Sequence, residues 1–170
     1  GNNWYYAYGK SSHSEILADS RMLSELAGSS HNRPFMVIDD GWHSDRYQWY
    51  QNQEEPWMDG TADFPDMAGL ADEMKKTGVR PGLWYRPLQT SKRLPEEWLL
   101  KTNRVFNKNM DVLVLDPSIS EVLETIAGYM RRFSGWGYEL VKHDFTTYDI
   151  FGRWGFDFRM NLTNNGWHFA

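Results

Sequence analysis

The spacing of apolar and polar residues along the chain predicts three helices. The first spans about 12–28, where a capping box made by Ser12 and Glu15 precedes apolar residues at helical spacing and a glycine follows them. The second spans about 66–78, with an aspartate at its start and two lysines before the glycine at its end. The third spans about 118–135 and opens with a second Ser-x-x-Glu box.

Short apolar runs between these helices predict four strands, at about 3–8, 34–39, 79–84 and 138–144. The second run is apolar throughout, as expected for a strand that is covered on both faces. The resulting order, β-α-β-α-β-α-β, predicts a parallel sheet with right-handed crossovers. A further apolar run at 112–115 predicts a short accessory strand.

The lengths of the connections favour a barrel over an open sheet. Helix-to-strand links are short, whereas two strand-to-helix links are long, at about 42–65 and 86–117. Long loops on one side and short loops on the other are typical of a barrel with a single functional face. No G-x-G-x-x-G follows the first strand, which disfavours a Rossmann sheet. The predicted fold class is therefore α/β, of the (β/α)8 TIM-barrel type.

Only about the first four βα units of such a barrel are predicted in this chain. A complete barrel takes ~250 residues, and the sequence has 170. We therefore expect residues 1–170 to form a partial catalytic barrel domain, with strands 1–4 and the intervening helices present and the later strands absent.

Two of the predicted strands end in charged residues that suit sugar chemistry. Lys142 and Asp144 share one face of the last strand, while His143 points to the other. An ammonium beside a carboxylate keeps that carboxylate ionised, which is what a glycosidase nucleophile requires. Asp144 is thus the candidate nucleophile, and a structural ion pair between Lys142 and Asp144 is the alternative.

Asp39 and Asp40 end the second predicted strand just before a glycine turn. Two adjacent acceptors can bind vicinal hydroxyls, and the wrong epimer then leaves a buried acceptor unpaired. They can also be a capping or solvated turn pair. A hard cation held by both and Asp144 is a further alternative, which the neighbouring Lys142 disfavours.

Three further residues are candidate substrate contacts. Arg86, just beyond the third predicted strand, can donate to ring hydroxyls or pair with one of the two aspartates after the second strand. Trp84 precedes it at the end of the same strand. Trp4, in the first predicted strand, can form an aromatic wall or pack in the core.

Composition narrows the possible partners. Aromatic residues make up 16% of the chain, and many tryptophans lie in polar loop-like segments, as in proteins that stack sugars on aromatic rings. The net charge is −5 without a basic stripe, so neither nucleic acid nor a membrane is expected as a partner. The absence of cysteine excludes disulfides and thiolate metal sites. A homo-oligomer is left open, and a periplasmic or secreted location is slightly favoured over the cytoplasm, although no leader is seen.

Five segments together resemble a known enzyme family. They are Asn2-Asn3-Trp4, Ile38-Asp39-Asp40-Gly41-Trp42, Phe64-Pro65-Asp66-Met67-Ala68-Gly69-Leu70-Ala71, Gly78-Val79-Arg80-Pro81-Gly82-Leu83-Trp84 and Lys142-His143-Asp144. In order and spacing they resemble the α-galactosidase (melibiase) clan of glycoside hydrolases over nearly the whole chain.

This resemblance implies a (β/α)8 barrel followed by a β-sandwich domain, and the sandwich domain is not seen in this chain. It also implies retaining hydrolysis of terminal α-D-galactosides without a cofactor. It implies that Asp144 is the nucleophile that forms a covalent glycosyl-enzyme. It further implies that galactose hydroxyls are bound by Asp39, Asp40 and Lys142 and that Trp4 and Trp84 line the site.

The chain also departs from the family pattern. The nucleophile strand reads Lys-His-Asp, and the ending Trp84-Tyr85-Arg86-Pro87 differs from the commoner one, which leaves α-N-acetylgalactosaminides or pentopyranosides as alternative substrates. The family's acid/base aspartate follows a later strand, and Asp149 and Asp157 are the in-chain candidates for that role. We therefore expect the 170-residue chain alone to be inactive. A non-catalytic sugar-binding module is the alternative from another functional class.

Overall fold

The computed structural model describes residues 1–43, 57–90, 94–100, 113–151 and 163. These residues form two compact units. Among the described residues, the first unit contains 1–43, 57–85 and 129–142, and the second contains 86–90, 94–100, 113–128, 143–151 and 163.

Both helices and strands occur among the described residues. The helices are α1 (Trp4–Ala7), α2 (His13–Ala27), α3 (Met67–Thr77), α4 (Ser120–Gly135) and α5 (Thr146–Phe151). The strands are β1 (Phe35–Ile38), β2 (Arg80–Tyr85), β3 (Gln89–Thr90), β4 (Leu113–Val114) and β5 (Leu140–His143), and a 3-10 turn covers Glu96–Trp98.

The first unit is built around a sheet with the order β1-β2-β5. Strands β1 and β2 are parallel, with Phe35 opposite Arg80 and Ile38 opposite Leu83. Helix α3 lies between them in sequence, so this part of the chain is a β-α-β unit, and the predicted α/β class with parallel pairing is confirmed. The predicted strands at 34–39, 79–84 and 138–144 are confirmed within one or two residues.

The predicted ends of α2 and α3 are confirmed. The side chain of Asp66 accepts a hydrogen bond from the backbone N–H of Gly69 at 2.8 Å, and α3 ends at Gly78, whose φ is 93°. Helix α2 begins after Ser12, as predicted, but the Ser12 hydroxyl donates to the Glu15 carboxylate at 2.9 Å and caps no backbone N–H.

Arg33 connects the C-terminal ends of these two helices. Its guanidinium donates to the carbonyl of Gly28 beyond α2 at 2.8 Å and to the carbonyl of Gly78 beyond α3 at 2.5 Å. It also donates to the Ser24 hydroxyl at 2.5 Å. A cation at this place satisfies carbonyls that have no partner inside a helix and interacts favourably with both helix dipoles.

The predicted strand at 3–8 is wrong, because this segment forms the short helix α1. The side-chain oxygen of Asn2 accepts a hydrogen bond from the backbone N–H of Trp4 at 2.9 Å, and the carbonyl of Asn3 accepts one from Ala7 at 3.0 Å. The hydrogen bonds of this turn outweigh the strand propensity of the aromatic residues. Just before this segment, Asn2 forms a parallel bridge to Val37.

The second unit has its own small apolar core. Strands β3 and β4 pair in antiparallel fashion, so the predicted accessory strand at 112–115 is confirmed, whereas β3 and α5 were not predicted. The buried residues of this core are Leu88, Leu100, Val114, Leu115 and Val122.

The start of α4 differs from its predicted start at Ser118. Asp116 accepts hydrogen bonds from the backbone N–H of Ser118 at 2.9 Å and from its hydroxyl at 2.6 Å, so Ser118 belongs to a turn and the helix begins at Ser120. Asp116 also accepts from the backbone N–H of Thr163 at 2.7 Å. Burial alone raises the pKa of Asp116, but the hydrogen bonds from Ser118 and Thr163 outweigh burial and hold this pKa below its ordinary value.

Candidate functional site

Asp39 lies directly after β1 and takes part in several hydrogen bonds. Its carboxylate accepts from the side-chain amide of Asn2 at 2.5 Å and from the ammonium of Lys142 at 2.6 Å. Its second oxygen accepts from the backbone N–H of Asp40 at 2.9 Å, and its own N–H donates to the side chain of Asn3 at 2.7 Å. The side chain is only 3% exposed, so its position is fixed by these contacts.

The structure brings Asp39 and Lys142 together across 103 positions of sequence. The sequence placed Lys142 beside Asp144, and the structure shows that the Lys142 ammonium also reaches Asp39, to which it donates a hydrogen bond. The Lys142 side chain is 39% exposed, in contrast to its nearly buried partner. Since an ammonium carries three N–H groups, Lys142 can hold Asp39 and still donate to a hydroxyl that approaches from solvent.

Asn2 and Asn3 were not predicted to contribute to the site. Asn2 bonds both the backbone of Trp4 and the carboxylate of Asp39, and therefore ties α1 to the end of β1. Asn3 is 1% exposed and fixes the backbone of Asp39. Two consecutive amides before an aromatic run are the sequence signal that could have indicated this role, since amides bind backbone groups in turns.

A glycine turn places Asp40 beside a histidine. Gly41 has a φ of 111°, and a Cβ at this position would lie 2.5 Å from the carbonyl oxygen of Gly9, so only glycine fits. After this turn Trp42 enters the core, and Nε2 of His43 returns to within 3.1 Å of Asp40 Oδ1. The Asp40 side chain is 16% exposed.

The predicted wall residue Trp84 lies inside an aromatic cluster. Its ring stacks on His43, with centroids 6.0 Å apart and planes at 15°, and lies 5.9 Å from the ring of Trp57. Its backbone carbonyl accepts a hydrogen bond from the indole N–H of Trp42 at 2.9 Å. Because Trp84 is only 3% exposed, it acts here as a packing residue behind the histidine.

Trp4 has a different setting. It begins α1, is half-buried, and meets the ring of Tyr8 edge-on with centroids 5.7 Å apart. Its backbone N–H is held by Asn2, which also contacts Asp39. Trp4 therefore keeps an aromatic face partly accessible next to the hydrogen-bond network of Asp39.

Asp144, the predicted nucleophile, lies in the second unit directly after β5. It is half-buried, and its Oδ1 accepts a hydrogen bond from the backbone N–H of Phe145 at 2.9 Å. Phe145 has a φ of 62°, which is uncommon for a residue other than glycine. The neighbouring side chains of His143 and Thr146 form a hydrogen bond of 2.6 Å. Asp144 is thus presented on a sharp turn between β5 and α5.

Arg86, predicted to contact substrate, has Asp149 as its ion-pair partner. Its Nε donates to Oδ2 at 3.0 Å and its Nη2 donates to Oδ1 at 2.5 Å. The two side chains are 7% and 0% exposed. The guanidinium also lies over the ring of Phe145, 4.5 Å from its centroid. This buried bidentate pair packs against the residue that follows Asp144.

Asp149 was one candidate for a second catalytic carboxylate. Its complete burial and its bidentate bonds to Arg86 suit a structural role rather than proton exchange with a substrate. The other candidate, Asp157, lies outside the described residues. Within the described ranges, no three side chains of His, Asp or Glu group together as possible metal ligands. No helix among these residues is long and apolar enough to cross a membrane.

The comparisons with known proteins find similarity to one class of enzymes, the glycoside hydrolases. Comparison with solved structures gives matches to α-galactosidases of family GH36, and homology to these enzymes extends over part of the chain. No family model matches the sequence.

Among curated proteins, α-galactosidase AgaA from Geobacillus stearothermophilus is 28% identical over 132 residues, which cover 74% of this chain and 17% of that protein. The crystal structure of AgaA matches with a TM-score of 0.65 and 26% identity, covering 84% of this chain and 20% of that one. The α-galactosidase TtGalA from Thermus thermophilus, solved with p-nitrophenyl α-D-galactopyranoside, matches with a TM-score of 0.65 and 29% identity, covering 89% of this chain and 31% of that one. The chain thus spans less than a third of the length of these relatives.

Proposed function

We propose that this chain is part of the (β/α)8 catalytic barrel of a retaining glycoside hydrolase that acts on terminal α-D-galactosides. The observation that carries the proposal is the buried Asp39 at the end of β1, bonded to Lys142 at the end of β5. Polar groups at the carboxyl ends of several strands are where barrel enzymes bind their substrates. The likeness to GH36 α-galactosidases supports the same assignment. In this proposal, β1, β2 and β5 are strands of that barrel.

Sugar recognition is assigned to the three charged groups of the first unit. Lys142 donates to a hydroxyl, Asp39 holds the ammonium in place, and Asp40 accepts from a neighbouring hydroxyl. An epimer that presents no hydroxyl to such a fixed acceptor leaves it unpaired, and this is how the site discriminates between sugars.

Aromatic contact with the sugar is assigned to Trp4, which is half-buried. Trp84 contributes by packing behind His43 and Trp57. Arg86 is bonded to Asp149 and stacked on Phe145, and a sugar contact is proposed for the guanidinium N–H groups that Asp149 does not bind.

Asp144 is proposed to attack the anomeric carbon while a second carboxylic acid protonates the departing glycosidic oxygen. This step breaks the glycosidic bond and forms a covalent glycosyl-enzyme ester. Water activated by the second carboxylate then cleaves the ester, and two inversions give net retention. The second carboxyl group is expected from another part of the full-length protein.

Hydrolysis of p-nitrophenyl α-D-galactopyranoside by the full-length protein tests this proposal. We expect Asp144→Asn to lower kcat by roughly 10³-fold or more while galactose affinity, measured by calorimetry, stays near the wild-type value. Asp72→Asn, at an exposed position on α3, is the matched control and should leave both values unchanged. The 170-residue chain alone should show no turnover.

Other outcomes identify the alternatives. Preferred hydrolysis of an α-N-acetylgalactosaminide or an α-pentopyranoside would shift the substrate assignment. Sugar binding without hydrolysis in the wild-type protein would indicate a non-catalytic sugar-binding module. Loss of activity on addition of a chelator would contradict the metal-free mechanism proposed here.

A further inference from the structure

His43 is a buried polar residue to which the proposed mechanism assigns no role. It follows the turn at Gly41 and is 2% exposed. Indole rings surround it, with the Trp57 centroid at 4.5 Å and the Trp84 centroid at 6.0 Å. The ring is therefore fixed by packing and does not reach solvent.

The polar contact of this imidazole is directed at Asp40. Nε2 of His43 lies 3.1 Å from Asp40 Oδ1, and an ionised carboxylate has only acceptors, so Nε2 carries the proton whether the ring is neutral or charged. Nδ1 is buried and makes no hydrogen bond among the residues that the structure describes.

An imidazole is a poor choice for packing alone at this position. The unpartnered Nδ1 costs free energy that an apolar ring of similar size would avoid. What the imidazole provides, and a phenyl ring does not, is the N–H that Asp40 accepts. The contrast in exposure, 2% for His43 against 16% for Asp40, means that the histidine can affect a bound ligand only through the aspartate.

We propose that His43 is a positioning residue for sugar specificity, which holds the Asp40 carboxylate in the one orientation that accepts from the correct hydroxyl. This inference rests on the proposed function, in which Asp40 binds a galactose hydroxyl. A carboxylate fixed before binding loses less conformational freedom when the sugar arrives and cannot rotate to suit an epimer. Removal of the His43 N–H donor should therefore weaken galactose binding and also reduce the discrimination between galactose and its epimers.

Three variants of the full-length protein separate this role from packing. His43→Phe keeps an aromatic ring and removes the donor. His43→Gln places an amide N–H near the position of Nε2, whereas His43→Asn places it near that of Nδ1. Calorimetric titration with galactose and with its C4 epimer glucose gives the affinity for each sugar and their ratio.

We expect galactose affinity to fall roughly ten- to a hundredfold in the Phe and Asn variants, with a smaller galactose-to-glucose ratio, and to stay within about threefold of wild type in the Gln variant. A purely structural role would lower the folded fraction without changing the ratio. If the Phe variant does not fold, the comparison of Gln with Asn decides, and equal affinities and ratios in these two would overturn the inference.

The two proposals fail in different ways. Wild-type protein that binds no galactose would remove the proposed function and this inference with it. Wild-type protein that binds galactose, together with a folded Phe variant that keeps its affinity and its ratio, would overturn the role of His43 alone.

Discussion

Removal of the Asp149 carboxylate is expected to destabilise the protein severely. Asp149 is 0% exposed and its partner Arg86 is 7% exposed, so Asp149→Ala leaves a guanidinium buried without its bidentate acceptor. Breaking a buried ion pair from one side typically costs about 3–5 kcal/mol. At about 2–4 °C per kcal/mol for a chain of this size, the melting temperature should fall by roughly 6–20 °C.

Two comparison variants test whether the loss of stability comes from the unpaired buried charge. The pair between Arg80 and Glu139 has a similar distance, 2.8 Å, but its side chains are 43% and 38% exposed. Glu139→Ala should therefore cost less than about 1 kcal/mol. The double variant Arg86→Met with Asp149→Leu buries no charge and should regain most of the stability that Asp149→Ala loses.

Thermal unfolding followed by circular dichroism compares the four proteins under one set of conditions. The reasoning would be refuted if Asp149→Ala lowered the melting temperature no more than Glu139→Ala does. It would also be refuted if the double variant were as unstable as the single one, because the loss would then come from packing against Phe145 and not from an unpaired buried charge.

Two other predictions concern the helix ends and the second unit. Arg33→Ala should lower the free energy of unfolding by about 2 kcal/mol, because the guanidinium donates to carbonyls beyond both α2 and α3. Urea titration measures this loss, and Arg33→Lys should recover only part of the lost stability. Because the folded-state pKa of Asp116 is lowered, its stabilising contribution is present above the unfolded value of about 4 and is lost as the pH falls through the folded value. Asp116→Asn should therefore be less stable than wild type at pH 7, and the difference should shrink as the pH falls below about 4. An undiminished difference in strong acid would contradict this.

The elements that could be predicted from sequence are those whose signals are local. The aspartate before α3 and the glycine after it act within a few residues of the helix. The apolar run of β1 requires that both faces of the strand be covered, wherever the strand lies in the fold. The failure at 3–8 is also local in origin. There, aromatic residues with high strand propensity follow asparagines that form a turn, and the hydrogen bonds of that turn outweigh the propensity.

The long-range hydrogen bonds around Asp39 could not be predicted from local sequence. Charged residues at the ends of strands single out Asp39 and Lys142 as candidates, yet their contact joins positions 103 apart. The alternation rule relates Lys142 only to its neighbour Asp144. Arg86 finds Asp149 63 positions away, on a helix that the sequence did not predict. Sequence spacing constrains which side chains share a face, whereas ion-pair partners depend on how distant elements pack.

Asp39 and Asp40, adjacent in sequence, have different surroundings, and this difference argues for a division of roles. Asp39 is 3% exposed and accepts hydrogen bonds from Asn2 and Lys142, so it organises the site from within. Asp40 is 16% exposed and is held by His43. In the proposed function, Asp40 is the more exposed of the two acceptors, and we therefore expect it to contribute more than Asp39 to the choice between sugars. Asp39 holds the ammonium of Lys142, which is the proposed donor to a second sugar hydroxyl.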